Sequence, residues 1–227
     1  MTPPALQAVS LYRFFRAGDE ETQALRGVTL AVQPGELVAV AGPSGSGKST
    51  LLSCLAGLDT PDGGIVHVDG QRLSHRPERE RTQLRARYIG LLFQSANLLE
   101  HLSVDANLAL VQALISRPAS SAAVQRRRGL LTSLDLGQRS TARPSTLSGG
   151  EAARAGLAVA LANDPAVLLA DEPTGEVDAE TEQQIVALLR ARADAGTAVV
   201  VVSHSAAVAG AADRVIRLAD GRIDGAA

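Results

Sequence analysis

Gly42-Pro43-Ser44-Gly45-Ser46-Gly47-Lys48-Ser49-Thr50 is the stretch on which the reading of this chain turns. Its fixed positions match G-x-x-x-x-G-K-[ST]. Before it, Leu37-Val38-Ala39-Val40-Ala41 is a short apolar run suited to a buried parallel strand. After it, Leu51-Leu52-Ser53-Cys54-Leu55-Ala56 has helical character up to Gly57. Strand, glycine loop, helix is the order of a phosphate cradle. Glycines let successive backbone N–H groups turn inward on an anion, and the helix start adds unpaired donors and the positive end of its dipole. Lys48 then reaches the β- and γ-phosphates, and the Ser49 hydroxyl suits Mg²⁺. A merely flexible Gly/Ser turn explains the glycines but not their flanks.

Composition bounds what surrounds that loop. At 227 residues the chain is expected to be one large domain, or one domain with a subdomain, and it can bury a sizeable core. A net charge of -2 builds in no global attraction to nucleic acid or anionic membrane. The single Cys, Cys54, excludes an intrachain disulfide framework and suits a reducing compartment. Aromatic residues make up only 2%, so the core must be built mainly from Val, Leu, Ile and Ala. The longest apolar runs, such as Thr197 to Val202, are strand-sized and far short of the roughly 20 residues a membrane helix needs. Met1-Thr2-Pro3-Pro4 lacks the pattern of a secretory signal. The expected location is therefore cytosolic, or on the inner face of a membrane through a partner, with no direct insertion.

Outward from the loop toward the N-terminus, Leu6 to Phe15, Gly27 to Val32 and Glu36 to Ala41 read as β segments whose alternation suggests an antiparallel sheet beside the parallel one. Of Phe14 and Phe15, one is a candidate for stacking on a base; burial in the core is the alternative. Toward the C-terminus, Gly64 to Gly70 reads as a strand ending in an Asp-Gly turn. Arg72 to Arg87 reads as a solvated helix face rather than a nucleic-acid patch. Tyr88 to Phe93 is a buried strand with Gln94 at its end, where parallel sheets place ligand-facing residues.

From Ser103 to Gly137 the pattern turns helical, with Ser103 and then Ser120 or Ser121 as N-caps, and Arg126-Arg127-Arg128 read as solvent-facing. Leu147-Ser148-Gly149-Gly150-Glu151 opens a further helix reaching about Ala162, and its paired glycines offer a second anion site. The apolar strand Ala166 to Ala170 delivers Asp171 and Glu172. Asp171 suits Mg²⁺ coordination and Glu172 suits polarising an attacking water. Asp178 caps the next helix, Thr197 to Val202 delivers Ser203 and His204, and Asp213 to Leu218 with Asp220-Gly221 makes a closing hairpin.

In this order the stretches resemble the ATP-binding-cassette ATPases over nearly the whole chain. Gly42 to Thr50 is similar to the Walker A motif, Gln94 to the Q-loop, Leu147 to Glu151 to the signature LSGGQ, Val167 to Glu172 to Walker B, Thr174 to Asp178 to the D-loop, and His204 to the switch histidine. The runs Phe15 to Glu20, Gly42 to Gly47, Phe93 to Leu99 and Ala170 to Gly175 look most like the lipoprotein-release, macrolide-export and cell-division group. The resemblance implies an α/β P-loop NTPase in a single domain. Residues 1–94 and 148–227 would form the nucleotide core with its antiparallel β subdomain, and residues 95–147 a helical subdomain. It implies adenine stacking on Phe15, catalysis by Glu172, His204, Lys48 and Gln94, and Mg²⁺ held by Ser49, Gln94 and Asp171. ATP would also be bound by Gly42 to Thr50 and by Ser148, Gly149, Gly150, Glu151 and Asp178.

The mechanism implied is a head-to-tail pair of copies closing over two ATP molecules and driving a separate membrane permease. A force-transmitting ATPase that regulates a membrane-anchored partner, or a soluble cassette acting on DNA or ribosomes, are the alternatives. The second is disfavoured by the lack of a concentrated basic run. Departures from the family pattern are Glu151 for Gln, Ala152-Ala153 for polar residues, Val159 for Arg, and Ser205 after the switch histidine.

Overall fold

The computed structural model describes residues 3–17, 20–93, 97–115, 120–175 and 177–224. Two sheets carry the fold. The first is antiparallel, with strand order β2-β1-β4-β5: β1 (Leu6–Ala17), β2 (Glu20–Val32), β4 (Gly63–Val68) and β5 (Gln71–Arg72). The second has order β10-β9-β3-β8-β7-β6: β3 (Leu37–Ala41), β6 (Ile89–Leu92), β7 (Val167–Asp171), β8 (Ala198–Val202), β9 (Arg214–Ala219) and β10 (Arg222–Asp224). Its ladders are parallel except where β10 pairs with β9. The expectation for residues 6–41 divides here. β1 and β2 join the antiparallel sheet, whereas β3 lies inside the parallel one, as its apolar run demands.

Alternation along the parallel strands explains why they read as unbroken apolar runs. Val38, Val40, Leu169, Val200 and Val202 pack with Leu51 and Leu55 of α1 (Lys48–Leu55) and with Leu6, Leu11 and Val66 of the antiparallel sheet. Leu37, Ala39, Leu168, Val199 and Val201 face the opposite way. There they meet Leu108 of α3 (Val104–Ala113), Leu131 of α4 (Ser121–Ser133), Leu157 of α5 (Gly149–Leu161) and Ile185 and Leu189 of α6 (Ala179–Asp194). Both faces are covered, so no position along these strands can be polar without cost. Fully burying each such aliphatic side chain stabilises the fold by about 1.5–3 kcal/mol.

The charged segment after β5 forms α2 (Glu78–Tyr88), which has no buried residue, in keeping with a solvated helix. Ser103, Ser120, Ser148 and Asp178 each cap a helix by accepting from a backbone N–H of its first turn, so polar signals at these four positions set the helix starts. α4 stops at Ser133, short of Gly137. A short helix that the sequence did not announce, α7 (Ala206–Ala211), follows His204 and is capped by Ser205.

Arg127 corrects the expectation of a solvent-facing arginine. Its residue exposure is 7%, its Nε donates to Asp105 Oδ1 at 2.8 Å, and its Nη1 donates to Gln112 Oε1 at 2.9 Å. Gln112 in turn donates to Ala162 O at 3.1 Å, and Asn163 Nδ2 donates to Ala86 O and Val111 O, both at 3.0 Å. These bonds tie α3 and α4 to the end of α5 and to α2. Arg127→Ala is expected to cost about 2 kcal/mol, from lost charge-assisted hydrogen bonds. In a chain of this size that lowers the thermal midpoint by roughly 4–8 °C, which calorimetry would register.

Candidate active site

Strand register sets the height at which the candidate residues emerge. Val40 of β3 and Asp171 of β7 both stand opposite Val202 of β8, and Leu92 of β6 stands opposite Ala170. The loop after β3, the acidic pair after β7 and the Ser203-His204 pair after β8 therefore leave the sheet along one edge. Beyond the ladders, Glu172 N–H donates to Val202 O at 2.8 Å and Ser203 N–H to Val40 O at 3.2 Å, which fixes these ends to one another.

Two glycines make the loop possible. Gly47, the N-cap of α1, has φ +101, and a Cβ there would lie 2.4 Å from Ala24 O. A Cβ on Gly42 would lie 2.1 Å from Leu218 O. Neither position accepts a side chain without backbone movement. Lys48 is buried, and its Nζ donates to Gly42 O at 2.8 Å and Pro43 O at 2.9 Å, so the ammonium is held against the loop from within. Ser46 Oγ is buried without a hydrogen-bond partner. An orphaned hydroxyl beside a glycine-lined helix start fits an anion with oxygen acceptors. Pro43, Ser44, Gly45 and Ser49 are exposed, and Thr50 is half-buried.

A cleft of about 360 Å³ gathers Phe15, Thr22, Gln23, Ala24, Arg26, Gly45, Gly47, Lys48, Ser49, Thr50, Asp220 and Gly221. Phe15, 44% exposed, thus shares a cavity with the phosphate loop, while Phe14 is half-buried. The walls from Arg26 and Asp220-Gly221 were not evident in the sequence. They are joined by Arg26 N–H donating to Gly221 O at 2.8 Å, and Gly221 N–H donates to Ser46 O at 3.1 Å.

On the other side of the loop, Ser49 hydrogen-bonds Asp171, whose carboxyl is pushed above its ordinary range by burial against the opposing effect of that bond. A hydroxyl oxygen beside a carboxylate that desolvation disfavours in its charged form suits a small divalent cation. Glu172 has φ +46, a left-handed conformation costly for a residue other than glycine, and strain of this kind clusters at functional sites. Its carboxylate accepts from Ser203 Oγ at 3.2 Å and from His204 N–H at 3.4 Å, and Oε1 lies 3.5 Å from His204 Nε2. Ser203, in sequence a neighbour of the histidine, thus bonds directly to the Glu172 carboxylate. The His204 side chain is 57% exposed and free to meet a ligand.

The start of α5 stands apart. Ser148, Gly149, Gly150 and Glu151 do not line the Lys48 cleft, and Ser148 and Gly149 are exposed. Ser148 Oγ accepts from Glu151 N–H at 3.2 Å while Glu151 Oε2 accepts from Ser148 N–H at 2.9 Å, a reciprocal cap. Glu151 Oε1 also pairs with Arg139 Nε at 2.7 Å. The Ser148 N–H first, and Arg139 second, hold the Glu151 carboxyl below the usual range, so it is charged, and Arg139 offsets that charge. Asp178 is likewise committed locally, accepting from Thr181 N–H and Thr181 Oγ1, both at 2.9 Å, and it too lies outside the lining of the cleft. Gln94 lies outside the described residues. Burial pushes the Cys54 thiol up to about 12, which leaves it an inert part of the core.

The ABC transporter family model matches residues 25–175. An uncharacterized ABC transporter ATP-binding protein of Thermotoga maritima is 41% identical over 97% of this chain and 94% of that protein. The macrolide export ATP-binding/permease protein MacB of Acinetobacter baylyi is 42% identical over 98% of this chain, which spans only 34% of that longer protein. The dimeric structure of the ABC transporter cassette MJ0796 superposes with a TM-score of 0.88 at 35% identity, covering 97% of both chains, and a further dimeric MJ0796 structure, in a post-hydrolysis state bound to ADP and Pi, matches equally well at 34%. With a phosphate loop, an acidic strand end and a histidine assembled on one sheet edge, and with relatives matched along nearly its full length, the chain belongs to the ABC transporter family, as an ATP-hydrolysing cassette similar to those of the macrolide-export group.

Proposed function

We propose that the chain is the motor subunit of a transport system, in which two copies close head to tail over two ATP molecules and drive a separate membrane permease. The observation that carries this reading is the separation just described. One anion site, at the start of α1, shares a cleft with Phe15, and the other, at the start of α5, lies outside that cleft in the same chain. Two facing copies let each α5 start complete the phosphate shell begun by the other's Lys48. The related cassette MJ0796 is dimeric in both matched structures, which supports a pair of copies as the working unit.

ATP supplies the phosphoanhydride bond that is cleaved, and Mg²⁺ would be held by Ser49 and Asp171, with Gln94 assigned from sequence alone. Phe15 stacks on the base, and Lys48 and the loop N–H groups hold the β- and γ-phosphates. Glu172 accepts the proton of a water attacking the γ-phosphorus, ADP leaves with the bridging oxygen, and His204 positions the γ-phosphate. Ser148, Gly149 and Gly150 serve the nucleotide of the facing copy, with Glu151 and Asp178 shaping that junction rather than touching phosphate. Residues 95–147 act as the helical subdomain that carries the motion outward.

An apolar surface supports the permease partner. Leu110 is 48% and Leu114 61% exposed, beside a groove lined in part by Ile89, Leu91, Val111 and Val159. Val159, where the family generally carries Arg, makes that wall apolar. No helix among the described residues is long and apolar enough to cross a membrane. In this reading the partner supplies the membrane path and holds the chain at the inner face. The relatives named as ATP-binding/permease proteins join both functions in one polypeptide.

Ser148→Phe tests the pairing. The lost cap costs about 1 kcal/mol, which a chain of this size tolerates. ATP-dependent dimerisation, read by light scattering, is expected to disappear while ATP binding to the single chain changes little. A dimer that forms as before removes the head-to-tail reading.

A further inference from the structure

The base platform is tied to the phosphate loop by an arginine that no motif names. Phe15 sits near the end of β1 with its ring partly in water, a position that would ordinarily leave an aromatic side chain loosely placed. Its ring is covered on one side by the Arg13 guanidinium, whose carbon lies 4.8 Å from the ring centroid. That guanidinium is itself fixed: Nε donates to Asp59 Oδ2 at 2.8 Å and Nη1 to Asp62 Oδ2 at 3.0 Å. At the register shift between Arg13 and Phe14, the Phe14 N–H donates to the same Asp62 oxygen at 2.7 Å, while Asp62 N–H donates back to Tyr12 O at 2.8 Å. Asp59 N–H donates to Ser53 O at 3.1 Å, on the helix that begins at Lys48. A continuous path of short contacts thus runs from the Phe15 ring through Arg13 and Asp59 to α1 and Lys48.

We propose that Arg13 is a positioning residue for nucleobase recognition, setting the Phe15 ring at a fixed distance from the phosphate loop and leaving its second face for the purine ring of a nucleoside triphosphate. The proposal rests on the reading of Phe15 as the base platform. A planar guanidinium over an aromatic ring is attractive in its own right and stiffens the ring against rotation. Held by two carboxylates, it does so without binding entropy being spent on ordering it when ligand arrives. Phosphate binding needs none of this, since Lys48 and the loop glycines are secured independently.

The test compares two probes on the full chain by titration calorimetry: the non-hydrolysable ATP analogue AMP-PNP, and inorganic tripolyphosphate, which lacks base and sugar. Phe15→Ala should weaken AMP-PNP about tenfold or more. Arg13→Met should weaken it roughly three- to tenfold. Both should leave tripolyphosphate unchanged, and the double variant should bind AMP-PNP no worse than Phe15→Ala alone. If Phe15→Ala weakens AMP-PNP but Arg13→Met does not, the role of Arg13 is overturned and the platform stands. If Phe15→Ala has no effect, the platform itself falls and takes the proposal with it. Equal losses for both probes in Arg13→Met mean a general structural role and overturn the proposal. Should Arg13→Met fail to fold, Arg13→Lys keeps a cation near Asp59 and Asp62 without the planar fork. A weakened AMP-PNP with intact tripolyphosphate then supports the proposal, and unchanged AMP-PNP overturns it.

Discussion

Glu172→Gln is expected to lower steady-state ATP hydrolysis by about 10²- to 10⁴-fold, the usual contribution of a positioned general base, while ATP still binds. The amide is nearly isosteric, so it can keep the left-handed backbone at φ +46 and go on accepting the bonds from Ser203 and the His204 N–H through its carbonyl oxygen. What it cannot do is take a proton from water. With the attractive γ-phosphate retained between facing copies, an ATP-bound dimer should accumulate. Phosphate release measures the first effect and size-exclusion chromatography with ATP and magnesium the second. Unchanged turnover would remove Glu172 from its assigned role, and a strictly monomeric Glu172→Gln chain would remove the pairing.

Lys48→Ala should produce the other large loss, this time in binding. The ammonium is enclosed by Gly42 O and Pro43 O, which hold two of its three N–H donors and keep it within the loop rather than in solvent. A charge-assisted bond to phosphate is worth about 1.5–3 kcal/mol. Its removal therefore predicts roughly 10- to 150-fold weaker ATP binding, and hydrolysis falls further, because charge builds on the transferred phosphoryl group as the bond breaks. Fluorescent-nucleotide titration reads the affinity. Wild-type affinity in the variant would show that the loop binds its ligand without the lysine.

Much of this was legible because the informative features are local. Gly42 to Thr50, Ser148-Gly149-Gly150 and the cap residues Ser103, Ser120 and Asp178 state their backbone geometry within a few positions, and the runs of Val and Ala in β3 and β8 state that both faces are covered. What escaped depends on distant partners. Arg127 looks like one charge among three until Asp105 and Gln112, 22 and 15 positions away, enclose it. Arg26 and Gly221 become walls of one cleft only through a backbone bond between separate sheets. β2 begins at Glu20 rather than Gly27 because hairpin pairing with β1 extends past the apolar positions into polar ones that carry no strand signal of their own. The helix α7 is too short, and too rich in alanine, to show periodicity.

The shared level of the β3, β7 and β8 ends has a consequence for how this enzyme could be tuned. Asp171, Glu172, Ser203 and His204 are tied to one another by local hydrogen bonds, but the depth at which all of them emerge is set by the strand register and the interlocking aliphatic side chains beneath. Trimming a methyl from a valine in mid-strand, well out of reach of any nucleotide, would let one strand settle by a fraction of an ångström against its neighbour and misalign proton acceptor and target. A search for variants with faster or slower turnover therefore belongs in the middle of the sheet as much as at its rim.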